Sequence, residues 1–257
     1  MNRKFNILGV NFNAFSFEEA QSVLIEWLEG NENRSVYTPN PEIVMAACKD
    51  AEFMDMLNSA DLVLPDGVGI VWASKFTEHR IRERVPGYDT VLGLFGKIKD
   101  TGKTVYFYGG AKAVALEAAD KMRAAYPGLR IIGVRDGFIK EAEQQEMLAE
   151  IHRLAPDILL VGTGSPRQER FIARHKVNLP CKLCIGVGGS FDGFSGRVRR
   201  APRIFIKLKL EWLFRLLRQP TRFKRQLKLV KFVIAVYKDK SKRKREVKLY
   251  GKNIQKA

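Results

Sequence analysis

Short runs of apolar, often β-branched residues alternate with amphipathic segments along residues 1–195. The runs predict these strands: Phe5–Val10, Arg34–Thr38, Asp61–Leu64, Thr104–Tyr108, Arg130–Val134, Asp157–Val161 and Leu183–Val187. Because successive positions in each run are apolar, both faces of the strands should be covered, as in a parallel sheet flanked by helices. The alternation therefore predicts an α/β fold with a Rossmann-like, mainly parallel sheet.

Helix signals occur between the predicted strands. Ser16 and Glu19 form a capping-box pattern that opens a helix to about Glu29, and Pro41 follows Asn40 where a first helical turn tolerates proline. Periodicity predicts further helices over Val68–Phe76, Tyr88–Asp100, Val114–Tyr126, Glu141–Leu154 and Pro166–His175.

The charge is distributed unevenly along the chain. Residues 196–257 hold 22 basic and 3 acidic side chains, whereas the other 195 residues hold 23 basic and 25 acidic ones. A cationic segment of this kind indicates a polyanionic partner, either nucleic acid or an anionic membrane surface. The chain is therefore expected to consist of a Rossmann-like body, residues 1–195, and a basic amphipathic appendage, residues 196–257.

Apolar stripes at helical spacing predict two helices in the appendage. The first stripe is Phe205, Leu208, Trp212 and Leu216; the second is Phe223, Leu227, Val230, Ile234 and Tyr237, with Phe232 outside it. Basic, amphipathic, aromatic-bearing helices suit an anionic membrane surface, and packing on the body or on an oligomer partner is the alternative. The longest apolar run has six residues, far below the roughly 20 that span a bilayer, so membrane association is expected to be peripheral.

The cysteine content and the N-terminus predict a cytoplasmic protein. The chain has three cysteines and no charged-then-apolar leader at Met1–Val10, which indicates a reducing compartment without a disulfide framework. Cys181 and Cys184 form a C-x-x-C motif, but no second pair accompanies it, so buried thiols are favoured over a zinc or redox site. The sequence has no D-x-D motif, and chemistry without a metal or other cofactor is expected.

Candidate chemistry is concentrated just after the predicted strands, where ligands of such sheets bind. These segments are Thr38–Pro41, Asp66–Gly67, Gly109–Gly110, Gly162–Gln168 and Gly186–Gly189. Their glycines allow close approach of the backbone, and the following helix N-termini offer N–H groups to phosphate, which favours a nucleotide-type ligand. Neither G-x-G-x-x-G nor G-x-x-x-x-G-K-[ST] is complete, which disfavours ordinary NAD enzymes and P-loop NTPases.

Four polar residues in these segments could act on a bound ligand. Asp66 could serve as a general base, or alternatively as an N-cap carboxylate. Thr38 and Asn40 could bind a sugar or base, or alternatively complete the turn and cap before Pro41. Gln168 could reach a ligand held at a helix N-terminus, or alternatively be a solvated first-turn residue.

Short motifs follow one another along the chain: Thr38-Pro39-Asn40-Pro41-Glu42, Pro65-Asp66-Gly67, Arg84-Val85-Pro86-Gly87-Tyr88-Asp89, Gly162-Thr163-Gly164-Ser165-Pro166-Arg167-Gln168-Glu169, Gly188-Gly189-Ser190-Phe191-Asp192, Arg200-Ala201-Pro202, Glu211-Trp212 and Pro220-Thr221-Arg222-Phe223-Lys224-Arg225. In this order they resemble the WecG/TagA/CpsF glycosyltransferases, glycosyltransferase family 26, over about residues 5–235.

The resemblance implies an inverting, metal-independent transferase. The implied reaction, of the TagA type, moves N-acetylmannosamine from its UDP donor to undecaprenyl-diphosphate-linked N-acetylglucosamine in a β-1,4 linkage, as in wall teichoic acid synthesis. Relatives that use the uronic acid or glucose leave the donor sugar open. The implied catalytic residues are Asp66, Thr38 and Arg84, and the implied substrate contacts are Asn40, Gln168, Gly109, Gly110, Gly164, Arg215, Arg222 and Arg225.

The implied partners are the UDP-sugar, the lipid-linked acceptor and the anionic inner face of the bacterial cell membrane, with no nucleic acid. A non-catalytic nucleotide- or nucleic-acid-binding protein is the alternative, although phosphate binding along nucleic acid needs no apolar helix face. The sequence leaves the oligomeric state open, and a homo-oligomer is compatible with it.

Overall fold

A computed structural model describes residues 4–81, 83–198 and 228–241, together with positions 202, 205 and 214. The strands are β1 (Lys4–Ile7), β2 (Val10–Asn13), β3 (Arg34–Tyr37), β4 (Leu62–Val63), β5 (Thr104–Gly109), β6 (Arg130–Arg135), β7 (Ile158–Gly162) and β8 (Leu183–Gly186). The helices are α1 (Phe17–Glu29), α2 (Pro41–Ala47), α3 (Ala51–Asn58), α4 (Val68–Ala73), α5 (Gly87–Ile98), α6 (Lys112–Ala125), α7 (Glu141–Leu154), α8 (Arg167–His175), α9 (Ser190–Phe194) and α10 (228–241).

The central sheet has six parallel strands in the order β4-β3-β8-β7-β5-β6. Alternate side chains of β5 enter two apolar clusters: Tyr106 and Tyr108 contribute to one, and Val105 and Phe107 to the other. This confirms the predicted Rossmann-like sheet with helices on both faces. Strands β5 and β7 are neighbours in the sheet, but the next strand on the β5 side is β6 and the next strand on the β7 side is β8, so the connections leave in opposite directions. In such folds, ligands bind in the crevice at this point, which lies beyond the carboxyl ends of β5 and β7.

The first predicted strand, Phe5–Val10, is wrong in its bounds. The chain turns at Leu8 and Gly9, whose φ angles are 51° and 95°, and returns as β2, antiparallel to β1. Two central residues with positive φ form the hairpin turn that matches the twist of the strands. Leucine rarely adopts this conformation, so the apolar pattern did not reveal the turn.

The predicted helix starts are confirmed where capping chemistry is specific. The Glu19 N–H donates to Ser16 Oγ at 3.1 Å, and the Ser16 N–H donates to Glu19 Oε2 at 2.7 Å, which completes the capping box of α1. Pro41 is the first residue of α2. The Val68–Phe76 prediction divides into α4 and a 3₁₀ turn over Ser74–Phe76.

Helix α10 packs on the body through Phe232 and Val236, which lie outside the predicted stripe, and through Tyr237, which belongs to it. Phe232 and Val236 are buried in the same apolar cluster as α4, and the ring centroids of Tyr237 and Trp72 lie 5.4 Å apart. Val230 and Ile234, from the predicted stripe, are about half exposed. The alternative of packing on the body is thus correct for one face of this helix, and part of the predicted stripe lies on another, exposed face.

Other expectations about the appendage lie outside the described residues. These include most of the first stripe, the arginines Arg215, Arg222 and Arg225, and residues 242–257. Within the described part of the chain, no helix combines the length and apolarity required to cross a bilayer. The division at residue 196 stays a prediction.

Candidate active site

The candidate residues of the body meet at the carboxyl edge of the parallel sheet. Thr38 follows β3, Asp66 follows β4, Gly109 ends β5, and Gly164 and Gln168 follow β7. With neighbouring strands about 4.8 Å apart, the edge from β4 to β5 extends over roughly 19 Å. This length suits an extended ligand rather than a compact one.

Asp66 lies in the short loop between β4 and α4. Its backbone N–H donates to the Pro39 carbonyl at 3.4 Å, which joins this loop to the segment after β3. The N-cap of α4 is Gly67, with a φ of 92°, and no described side chain caps this helix. The capping alternative for Asp66 is therefore wrong, and this partly exposed residue lies two positions before Val68, the first residue of α4.

Arg84 and Thr38 are held beside Asp66 by contacts of their neighbours. The Val85 N–H donates to the Pro65 carbonyl at 2.8 Å, so the chain carrying Arg84 runs next to the residue before Asp66. Gly87, the first residue of α5, lies directly on Thr38, since an added Cβ would come within 2.7 Å of Thr38 Oγ1. One main-chain hydrogen bond and one close packing contact thus bring together the segments that carry the three predicted catalytic residues.

Asn40 caps α2, as the alternative interpretation expected. Its Oδ1 accepts hydrogen bonds from the N–H groups of Glu42 at 2.9 Å and Ile43 at 3.1 Å. The amide oxygen is consequently committed to the helix, and a ligand contact by Asn40 would have to come from its NH₂ group.

Gln168 is buried, with 3% of its surface exposed, so the solvated alternative is wrong. Its Nε2 donates to Glu169 Oε1 at 2.8 Å, and its Oε1 accepts from the Gly188 N–H at 2.8 Å. The amide therefore connects the start of α8 to the loop after β8.

Glycines form the floor of the crevice between β5 and β7. A Cβ on Gly109 would lie 2.4 Å from the Gly162 carbonyl carbon, so only glycine fits there. The Gly110 N–H donates to Gly162 O at 3.1 Å, and the Gly137 N–H donates to Gly110 O at 2.8 Å. A Cβ on Gly164 would meet no described atom within 4 Å, which leaves space above this floor.

The sequence analysis did not select Phe138 or Glu169 as functional residues. Phe138 follows the Asp136-Gly137 turn after β6 and is 72% exposed beside the crevice. Glu169 is only 1% exposed, at the base of the candidate site. The available signal for Phe138 was an apolar residue directly after Gly137, close to the end of β6. Nothing in the sequence distinguishes Glu169 from a solvated acidic residue in the first turn of a helix.

The two cysteines of the C-x-x-C motif are buried core residues. Cys181 and Cys184 are both buried, and their hydrogen bond, together with burial, raises the pKa of Cys181, as expected for core thiols. Among the described residues, no three His, Cys, Asp or Glu side chains lie together as metal ligands. The expectation of metal-free chemistry stays a prediction.

The chain matches the model of the WecG/TagA/CpsF glycosyl transferase family over residues 5–246 and belongs to that family. It is therefore a glycosyltransferase. A protein of Bacillus spizizenii named N-acetylglucosaminyldiphosphoundecaprenol N-acetyl-beta-D-mannosaminyltransferase is 40% identical over 212 residues, covering 82% of each chain. A protein of the same name from Bacillus subtilis is 37% identical over 239 residues, covering 93% of this chain and 92% of the relative.

Proposed function

We propose that the protein transfers N-acetylmannosamine from UDP-N-acetylmannosamine to undecaprenyl-diphosphate-linked N-acetylglucosamine, in the synthesis of wall teichoic acid or a related surface polymer. The names of both relatives support the substrates. The observation that best supports this chemistry is that hydrogen bonds and packing join the segments carrying Asp66, Thr38 and Arg84 at one end of the carboxyl edge of the sheet.

In the proposed reaction, Asp66 accepts the proton of the acceptor hydroxyl while that oxygen attacks the anomeric carbon. The bond from this carbon to the UDP oxygen breaks on the opposite face, so the configuration inverts, and UDP leaves with the bonding electron pair. Arg84 and the helix N–H groups at the strand ends stabilise the departing phosphate charge. A direct displacement of this kind requires one base and no second carboxylate nucleophile.

The donor is proposed to lie along the strand edge, with its nucleotide over Gly109, Gly110 and Gly164. The exposed Phe138 ring at this rim offers a face for the nucleobase. The sugar would then point toward Thr38 and Asp66, and the roughly 19 Å between the two ends accommodates donor and acceptor together. Asn40 follows the same strand as Thr38, at the sugar end, and offers its NH₂ group there, whereas Gln168 follows the same strand as Gly164 and shapes the loop beneath the ligand.

The appendage is proposed to dock on the inner face of the cell membrane, where a lipid-linked acceptor resides. Exposed Val230 and Ile234 share one side of α10, and Lys231 and Lys238 border it, as expected for an interfacial helix on anionic lipid. Arg215, Arg222 and Arg225 are proposed to bind diphosphate, for which guanidinium groups are well suited.

The proposed reaction is tested by incubating the protein with a water-soluble lipid-diphosphate N-acetylglucosamine analogue and one of three donors. UDP-N-acetylmannosamine should give a β-linked disaccharide product, at a higher rate than UDP-N-acetylmannosaminuronic acid or UDP-glucose. A chelator should leave the rate unchanged. A clear preference for another donor would overturn the sugar assignment, and chelator-sensitive activity restored by a divalent ion would overturn the metal-free mechanism.

Membrane docking through α10 predicts a specific loss of liposome binding on Ile234→Glu. Ile234 is 49% exposed, and the change removes part of an apolar contact and adds repulsion from anionic lipid. The dissociation constant for phosphatidylglycerol vesicles should rise about tenfold. Leu116→Glu on α6, where Leu116 is 48% exposed, is the matched control and should have little effect. Equal effects of the two variants, or tighter binding of the wild type to duplex DNA, would contradict docking by this face.

A further inference from the structure

A buried polar network joins three strand ends beneath the candidate site. The Glu169 carboxyl accepts from Gln168 Nε2, and the Gln168 Oε1 in turn accepts from the Gly188 N–H, both at 2.8 Å. The Tyr37 hydroxyl donates to the Glu169 carbonyl at 3.3 Å, and Tyr37 directly precedes Thr38. The network thus connects the segments that follow β3, β7 and β8.

The Glu169 carboxyl determines which way the Gln168 amide faces. An amide can be turned over with little change in shape, which exchanges its donor and acceptor ends. A carboxylate only accepts hydrogen bonds, so the NH₂ group must face Glu169 and the carbonyl oxygen must face Gly188. Without Glu169, the reversed amide would place its NH₂ group against the Gly188 N–H and release the loop after β8.

Glu169 is an unfavourable residue for stability alone. In the described part of the chain, the hydrogen bonds to its carboxyl come from the neutral groups of Gln168 and Ser165 and from its own backbone N–H, and its Oε2 finds no hydrogen-bond partner. Burial raises the pKa of Glu169, against the opposing effect of these hydrogen bonds. Since a buried, incompletely satisfied carboxyl costs free energy, an apolar residue of similar size would be the more stable choice.

We propose that Glu169 is a positioning residue for sugar transfer, which fixes the Gln168 amide and, through it, the Gly186–Gly189 loop at the centre of the site. This inference rests on the proposed function. This loop follows β8, which lies between β3 and β7. Displacement of the loop would therefore change the surface between the nucleotide end of the candidate site and Asp66.

The test compares Glu169→Leu, Glu169→Gln and Gln168→Met in the full-length protein. Glu169→Leu should lower kcat/KM for the donor by about 10- to 100-fold without lowering the melting temperature, because misplaced loops reduce rate more than stability. Glu169→Gln, which keeps an acceptor toward Gln168, should recover at least about a third of the wild-type kcat/KM. The Gln168→Met/Glu169→Leu double variant should lose no more than the worse single variant, since both changes break one network.

Tyr106→Phe is the control for a purely structural loss. It removes a 2.9 Å hydrogen bond from the buried Tyr106 to Glu150 and should reduce the melting temperature while leaving kcat/KM unchanged. Wild-type-like kcat/KM in Glu169→Leu, or no recovery in Glu169→Gln, would overturn the positioning role. If Glu169→Leu does not fold, Glu169→Met is judged by the same criteria.

Failure of the proposed function is recognised separately, because the wild-type protein itself would then transfer no sugar from any of the three donors. In that case, titration calorimetry with UDP decides the positioning role. Affinity for UDP should fall at least about fivefold in Glu169→Leu and recover in Glu169→Gln, and equal affinity in all variants would overturn the inference.

Discussion

Replacing Asp66 with asparagine should lower turnover by about two to four orders of magnitude, the loss that accompanies removal of a general base. Asparagine has nearly the same shape but cannot accept the acceptor proton. The Asp66 backbone contact to Pro39 is independent of the side chain, and α4 begins at Val68, after the N-cap Gly67, without an Asp66 cap. Folding and UDP binding should therefore persist, as measured by circular dichroism and calorimetry beside the transfer assay.

Asp120→Asn provides the matched control for this change. Asp120 is an exposed carboxylate on α6 that pairs with Arg123 at 2.9 Å, and surface pairs of this kind contribute little to stability. Its loss should leave turnover within about twofold of the wild type. Near-normal turnover of Asp66→Asn would exclude Asp66 as the base, and loss of UDP binding in that variant would assign the carboxylate to the donor instead.

The parallel sheet was predictable because most of its strands are short apolar runs that are buried on both faces. Cap chemistry was equally informative at Ser16 and Asn40, where the side-chain acceptor and the helix start are local in sequence. The hairpin at Leu8-Gly9 was not predictable, because its turn depends on a positive φ angle at a leucine. Local patterns thus indicated most strands and helices of the body, whereas the short helices α3 and α9 were not predicted.

The position of the candidate residues at one edge of the sheet was predictable, but the contacts of their side chains were not. Strand-end position was sufficient to select Asp66, Thr38 and the crevice glycines. The burial of Gln168 depends on Glu169 and Gly188, and Gly188 is 20 residues away in the sequence. Similarly, Phe232 was placed outside an amphipathic stripe, although its contacts with the body bury it completely, and Val236 of the same helix is also buried. Tertiary contacts decide which face of a helix is buried when apolar residues occupy more than one.

The second large effect is expected at Gly69, where α2, α4 and α10 meet beside the site. A Cβ added here would lie 2.7 Å from Pro41 Cγ and 3.2 Å from Leu229 Cδ1. Pro41 is the first residue of α2 and directly follows Asn40, and Gly69 is three residues beyond Asp66. The point at which the three helices pack together is therefore adjacent to the segments that carry Asn40 and Asp66.

Lys228, at the start of α10, makes a second contact between α10 and α2. Its Nζ lies 2.6 Å from Glu42 Oε1, so the first turn of α2 contacts both α4 and the start of α10. The pair is largely exposed and should contribute little free energy by itself. Close packing at Gly69, rather than this ion pair, is expected to hold α10 against the site.

Gly69→Ala should consequently destabilise the protein by about 1–3 kcal/mol, the usual cost of overpacking a well-filled contact. It should also reduce kcat/KM by at least about tenfold, because displacement of Pro41 moves Asn40 and the loop of Asp66. Chemical denaturation and the transfer assay measure the two effects separately.

Gly96→Ala distinguishes steric overpacking from the general effect of adding a methyl group to a helical glycine. Gly96 is exposed on α5, and its added Cβ would approach only Tyr126 Cε1, at an ordinary 3.9 Å. This change should therefore stabilise the protein by about 0.5–1 kcal/mol, the intrinsic preference for alanine over glycine in a helix, and leave kcat/KM unaltered. If Gly69→Ala also stabilises the protein and retains full activity, then α2, α4 and α10 are not tightly packed at this point, and docking of α10 does not constrain the catalytic loops.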